Sequence, residues 1–291
     1  MKLLLIHGRA QEGKNPTALE SEWLDALSKG LEAASLKLPE NIDIVVPFFG
    51  DALDSFVHAL ETPLALNAMA KGGAGDDKEL EFRQQIFSEM AQGYEISDAE
   101  ILANLDGKPQ ARGVTDWKWV RALLKTLDQK TPLSDSTLDR FTRDVYVYLT
   151  YPAIRRAVDK IVSEKLSAGD WVVIGHSLGA VVGYNVLAAV GASSGIKVSR
   201  YVTVGAPLGL PSIRDRLDLP LSMPGCVKGW YNAFDQRDVV ALYPLDARNF
   251  PIDPPIENND SVVNFTDNRH GIAGYLSDAG VARKIVEALQ P

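Results

Sequence analysis

A single cysteine, Cys226, stands in 291 residues, so no disulfide can close within the chain, and the usage fits a reducing compartment. Pro224 and Gly225 before it bring no base, so a buried structural thiol is expected there and not a nucleophile. Long apolar runs are missing too, and none approaches the length of a membrane span. The opening Met1–Ile6 imitates an export signal but stops at His7-Gly8-Arg9, without a long apolar region or a small-residue cleavage site. Leu3 to Ile6 therefore reads as a buried strand, and a cytoplasmic location without stable membrane insertion is expected. Positive charge is scarce: 30 Lys and Arg face 38 Asp and Glu, a formal charge of -8. That balance disfavours nucleic acid and anionic surfaces as partners. No paired metal-ligand spacing, phosphate loop or dinucleotide fingerprint occurs, so neither metal nor cofactor is expected. Internal repeats and low-complexity linkers are absent as well.

What is present is an ordinary globular composition, 46% apolar and 23% charged, in a chain long enough for one large α/β domain carrying an insertion. One stretch organises it. Trp171-Val172-Val173-Ile174 is an apolar, mostly β-branched run with the character of a buried strand, and Ala180 to Ala189 has the small and apolar residues of a buried helix. Between them stands Gly175-His176-Ser177-Leu178-Gly179. A serine on so sharp a strand-to-helix turn needs small neighbours, and the turn leaves the first helical N–H groups beside its hydroxyl. This Gly-x-Ser-x-Gly in strand–turn–helix context resembles the nucleophile elbow of the α/β-hydrolase superfamily. The resemblance implies Ser177 as nucleophile and the Leu178 N–H as one donor to an oxyanion.

Lys2 to Ile6 forms a first strand, followed by His7-Gly8-Arg9. In the superfamily a His-Gly loop at this place supplies the second oxyanion donor, which points to Gly8 and the Arg9 N–H, with His7 orienting the loop. Thr17 with Glu20 has the form of a capping box ahead of a helix to about Ala34, and Asn41 to Phe49 suggests a second parallel strand. Residues 51–150 break this rhythm, with a Gly72-Gly73-Ala74-Gly75 turn, a capped start at Ser97 with Glu100, and helical patterns but no convincing strand. They read as a helical cap or lid inserted into a core of residues 1–50 and 151–291. Trp117, Trp119, Phe141, Tyr146, Tyr148 and Tyr151 fall in its second half as core packing, some of them open to a role in an acyl or aromatic pocket. Further strands are expected at Arg200–Val204, Val227–Phe234 and Ser261–Thr266, with a closing helix from Asp278. Gly205-Ala206-Pro207-Leu208-Gly209 resembles the turn that shapes the floor of the site in fungal-type lipases.

A serine needs a base within hydrogen-bond reach, and the chain has four histidines. His176 adjoins Ser177 and should point away from its hydroxyl; His7 belongs to the loop and His58 to the insertion as a surface residue. His270, in the loop after the last expected strand, remains. The superfamily order of nucleophile, acid, histidine places the acid between Ser177 and His270. Asp238 and Asp235 both qualify and Asp267 is a weaker alternative; Asp238-Val239-Val240 resembles the acid segment of fungal-type lipases, which favours Asp238. The resemblance covers Met1 to Gly50 and Pro152 onward, without the two leading antiparallel strands many members carry. It implies an α/β-hydrolase fold, a mostly parallel central sheet flanked by helices, and a serine hydrolase acting on a neutral carboxylic ester, a small molecule. A thioesterase, amidase or peptidase on the same residues, or a non-catalytic binding protein on the same fold, are the alternatives.

Overall fold

The computed structural model describes residues 1–60, 75–105, 117–191 and 194–290. Six strands form one all-parallel sheet in the order β2-β1-β3-β4-β5-β6: β1 Lys2–Ile6, β2 Asp43–Val45, β3 Gly169–His176, β4 Ile196–Val204, β5 Trp230–Ala233 and β6 Glu257–Asn259. Because all run one way, their carboxyl ends share one edge, where open α/β sheets carry their ligands.

Strand periodicity sorts the side chains to two faces. Leu3, Leu5, Val172, Ile174, Val202 and Val204 pack with α1 (Pro16–Ala34) and the closing helices. Leu4, Ile6, Trp171, Val173 and Tyr201 face the helices that follow β2. The described elements between β2 and β3 are all helical: α2 Gly50–Leu60, α3 Gly75–Gly93, α4 Asp98–Ala103, α5 Trp117–Lys130, α6 Asp135–Thr150 and α7 Pro152–Ser163. After β3 come α8 (Leu178–Ala189), a 3-10 turn at Pro207–Gly209 and the short α9 (Pro211–Arg214). The last helices are α10 (Ile272–Leu276) and α11 (Ala279–Leu289).

The described helices between β2 and β3 do not build a core of their own. Phe82, Phe87, Leu123 and Tyr148 belong to the same buried cluster as Val173 of β3 and Leu178 of α8. Glu89 of α3 accepts hydrogen bonds from the Ser212 N–H at 3.0 Å and its hydroxyl at 2.6 Å, and the Tyr94 hydroxyl donates to the Arg237 carbonyl. These helices are thus joined to the segments after β4 and β5 by polar contacts as well as by packing.

Several local expectations are corrected. The α1 cap is Asn15, not Thr17: its side chain accepts from the Thr17 N–H at 2.8 Å, because Pro16 is preorganised for the first helical position. The Ser97–Glu100 capping box does form, with the Ser97 N–H donating to Glu100 at 2.9 Å. The expected strand at Ser261–Thr266 is a loop, and the sixth strand is Glu257–Asn259. The Asn264 N–H goes to the Asp235 carboxylate at 2.7 Å and the Thr266 N–H to the Asn264 side chain at 3.0 Å. Side chains there satisfy the backbone that a neighbouring strand would otherwise have to satisfy. The strand expected from Val227 covers only Trp230–Ala233, the one from Asn41 only Asp43–Val45, and the one from Arg200 starts earlier, at Ile196. Residues 72–74 of the glycine turn lie outside the described residues, and Gly75 opens α3.

Candidate active site

The turn between β3 and α8 holds Ser177 at φ 54 and ψ -127, a conformation costly for any residue with a Cβ. Its neighbours explain how the chain tolerates it. A Cβ on Gly179 would lie 2.2 Å from the Ile6 carbonyl oxygen and 2.4 Å from that of His7. Only glycine lets α8 start this close to the end of β1. The Ser177 N–H donates to the Val204 carbonyl at 3.2 Å, which ties the turn to β4.

Four strand ends converge on that serine. Beyond β5, Asp238 is fully buried, and beyond β6 comes His270. His270 Nε2 lies 2.8 Å from Ser177 Oγ, and His270 Nδ1 lies 2.7 Å from Asp238 Oδ2. The same carboxylate oxygen accepts the Tyr275 hydroxyl at 2.5 Å, and Oδ1 accepts the Val240 N–H at 3.0 Å. With Nδ1–H committed to Asp238, the free lone pair of the ring is on Nε2, facing the serine. The Tyr275 phenol is held well above its ordinary pKa, by burial first and then by Asp238, so it remains a donor.

Asp235, the alternative acid, is engaged elsewhere. It accepts from the Arg237 N–H at 2.8 Å and the Asn264 N–H at 2.7 Å, tying the two loops together. Asp267 is exposed.

The other histidines have separate places. His7 donates from Nδ1 to the Gly8 carbonyl at 2.7 Å and accepts the Phe49 N–H on Nε2 at 3.1 Å, so it is neutral; burial pushes its pKa down to about 4. His176 points away from the Ser177 hydroxyl and donates to the His270 carbonyl at 2.8 Å. Burial, then His270, pushes its pKa down to about 3. His58 is a surface residue beside Asp54. Cys226 is buried against the Leu187 carbonyl, and burial raises its thiol pKa.

No protein-family model matches the chain, and no curated protein or solved structure matches it either. The site therefore rests on its own geometry.

Gly8 passes directly over the serine: a Cβ there would sit 3.0 Å from Ser177 Cβ. The Arg9 side chain reaches away to α6, where Nε donates to Asp144 Oδ2 at 2.9 Å. Leu178 opens α8, so its N–H is one of the donors a helix start leaves without an internal partner. Gly205, at φ 58, lies beneath Asp238 and His270; a Cβ there would come within 3.3 Å of both Asp238 Oδ2 and His270 Cε1.

A cavity of about 270 Å³ opens at Ser177 and His270. Leu19 and Trp23 of α1 line it opposite Leu133, Leu138 and Phe141. Of the aromatics singled out in the insertion, Phe141 is on this wall; Tyr146 and Tyr148 are buried in the packing, and Trp117 is exposed. Sequence reasoning missed Tyr275, Asp144 and the α1 residues, since each meets the site through a contact between distant segments that no local pattern encodes. Among the described residues no group of three or more His, Cys, Asp or Glu side chains is placed to hold a metal ion.

Proposed function

We propose that this chain is a serine hydrolase of α/β-hydrolase type that cleaves a neutral carboxylic ester through an acyl-enzyme. The observation that carries the reading is the unbroken hydrogen-bond chain from Asp238 through His270 to Ser177, on a strained turn at the carboxyl edge of the sheet. Ser177 Oγ attacks the ester carbonyl while His270 Nε2 takes its proton. The Leu178 and Arg9 N–H groups receive the oxyanion, each donor of this kind being worth on the order of 10²-fold in rate. His270 then protonates the departing alcohol, and a water activated by the same nitrogen releases the acid. Asp238 and Tyr275 keep the imidazole in the tautomer this requires. Residues 51–150 act as the cap, with α6 as the wall of the acyl pocket, and the protein works in the cytoplasm.

The test is labelling by a fluorophosphonate together with turnover of p-nitrophenyl esters. Label on the peptide carrying Ser177 and saturable ester hydrolysis are expected; no label and no turnover would return the chain to the class of binding proteins. A panel of matched oxyesters, thioesters and amides then ranks the leaving groups, with the oxyester expected first.

The cavity also sets an acyl limit. Phe141→Leu should raise the kcat/KM ratio of octanoyl to butyryl ester by about tenfold, the scale of a one-methylene discrimination in an apolar pocket. An unchanged ratio would move the acyl group to another wall.

A further inference from the structure

The loop after β1 is held from three directions. The Gln11 side-chain amide donates to the Arg9 carbonyl at 2.9 Å. Ala10 sits at φ 57, in the left-handed region that a residue with a Cβ occupies only when its surroundings impose it. The Arg9 guanidinium is locked to Asp144 at 2.9 Å in a pair whose side chains are only 11% and 18% exposed. Among the described residues the Arg9 N–H donates to no acceptor. Its carbonyl and side chain are committed, and its N–H is left beside Gly8, which itself lies against Ser177.

Asp144 belongs to α6, the helix that also brings Leu138 and Phe141 to the cavity wall. The pair therefore joins the loop over the nucleophile to the helix that shapes the pocket, across 135 positions of sequence. A preorganised donor does not have to reorient when charge develops, and this is what makes it effective. We propose that Asp144 is a positioning residue: through Arg9 it holds the Arg9 N–H toward the oxyanion, so that the placement of α6 and the competence of the oxyanion site are one property. This inference rests on the hydrolase reading above. Asp144 itself never touches the substrate.

The reaction separates this role from a structural one. A thiono ester, with C=S in place of C=O, puts developing charge on sulfur, a poorer hydrogen-bond acceptor, so its turnover depends less on the N–H donors. Asp144→Asn should lower kcat for the oxygen ester by about tenfold with KM changed less than about threefold, and should shrink the oxygen-to-thiono rate ratio by a similar factor. Asp144→Glu should restore part of both. Asn could leave Arg9 buried and unpaired and so unfold the chain; the double variant Arg9→Met with Asp144→Leu replaces the pair by apolar groups and should fold with the same reduced ratio. If wild type turns over both esters and the ratio is unchanged in the folded variants, Asp144 has no such role. If wild type turns over neither ester and Ser177 takes no fluorophosphonate, the hydrolase reading fails and this inference fails with it.

Discussion

Ser177→Ala is expected to reduce ester turnover by on the order of 10⁴-fold or more and to abolish fluorophosphonate labelling, while the chain unfolds at nearly the same temperature. The size follows from the geometry. Ser177 Oγ is the hydroxyl within 2.8 Å of His270 Nε2, and Cys226, the one thiol, is buried against α8 with a raised pKa. Among the described residues no other hydroxyl is hydrogen-bonded to His270 Nε2. Stability should hardly move, because Ala keeps the Cβ and therefore the strain at φ 54. Ser177→Gly should be equally inactive but more stable, by about 1 kcal/mol, since glycine accepts that conformation at no steric cost. Measured by calorimetry beside the kinetics, the two variants separate chemistry from strain. Residual activity above a tenth of wild type in Ser177→Ala would remove the serine from the reaction.

Acid should destabilise this protein through histidines that do no chemistry. His7 and His176 are neutral in the folded chain, with pKa values pushed from 6.5 down to about 4 and about 3, mainly by burial. Their contribution is fully present above pH 6.5, where the unfolded chain also holds them neutral. It is lost as pH falls below that value, because the unfolded chain then binds protons that the folded one excludes. Between pH 6.5 and about 4.5 each histidine should remove about 2 to 3 kcal/mol of stability, taking about 1.4 kcal/mol per pH unit. Glu89, Asp144 and Asp159 work in the opposite direction, since burial raises their carboxyl pKa values and protonation then favours the folded state. The clean measurement is therefore a difference. Urea unfolding of wild type and His7→Gln at pH 7 and pH 4.5 should show the variant losing about 2 to 3 kcal/mol less than wild type on acidification. Parallel losses in the two proteins would mean that His7 is not the buried neutral group described.

Both predictions draw on residues that were legible to different degrees. Ser177 could be found from the chain alone because its signal is local: a strand, two glycines and a helix in one continuous stretch from Trp171 to Ala189. The glycines are required by backbone clashes that any sharp turn of this kind creates, as the 2.2 Å approach of Gly179 to Ile6 shows. His270 was reachable by elimination among four histidines, an argument that works only because the residue is rare here. Asp238 and Asp235 stand three residues apart after the same strand, and chain order admits both; only the resemblance of Asp238-Val239-Val240 to a lipase acid segment favours Asp238. The tertiary structure separates them, since Asp235 is taken by the Arg237 and Asn264 N–H groups while Asp238 faces His270.

The strand at Ser261–Thr266 misled for a related reason. Its alternation of Val262 and Asn264 with Val263 and Phe265 is real in the burial, yet a strand also needs a partner, and these backbone groups found side chains instead. The amino-acid sequence by itself determined the elements whose causes lie within a turn or two: apolar strands, the helical stretch between them and the strained serine. Tertiary structure alone decided which carboxylate meets the histidine, that Tyr275 supports it, that α1 and α6 wall the pocket, and that Arg9 is tied to Asp144. Those pairings join segments up to 135 positions apart, and their energy appears only once the sheet has brought the strand ends to one edge.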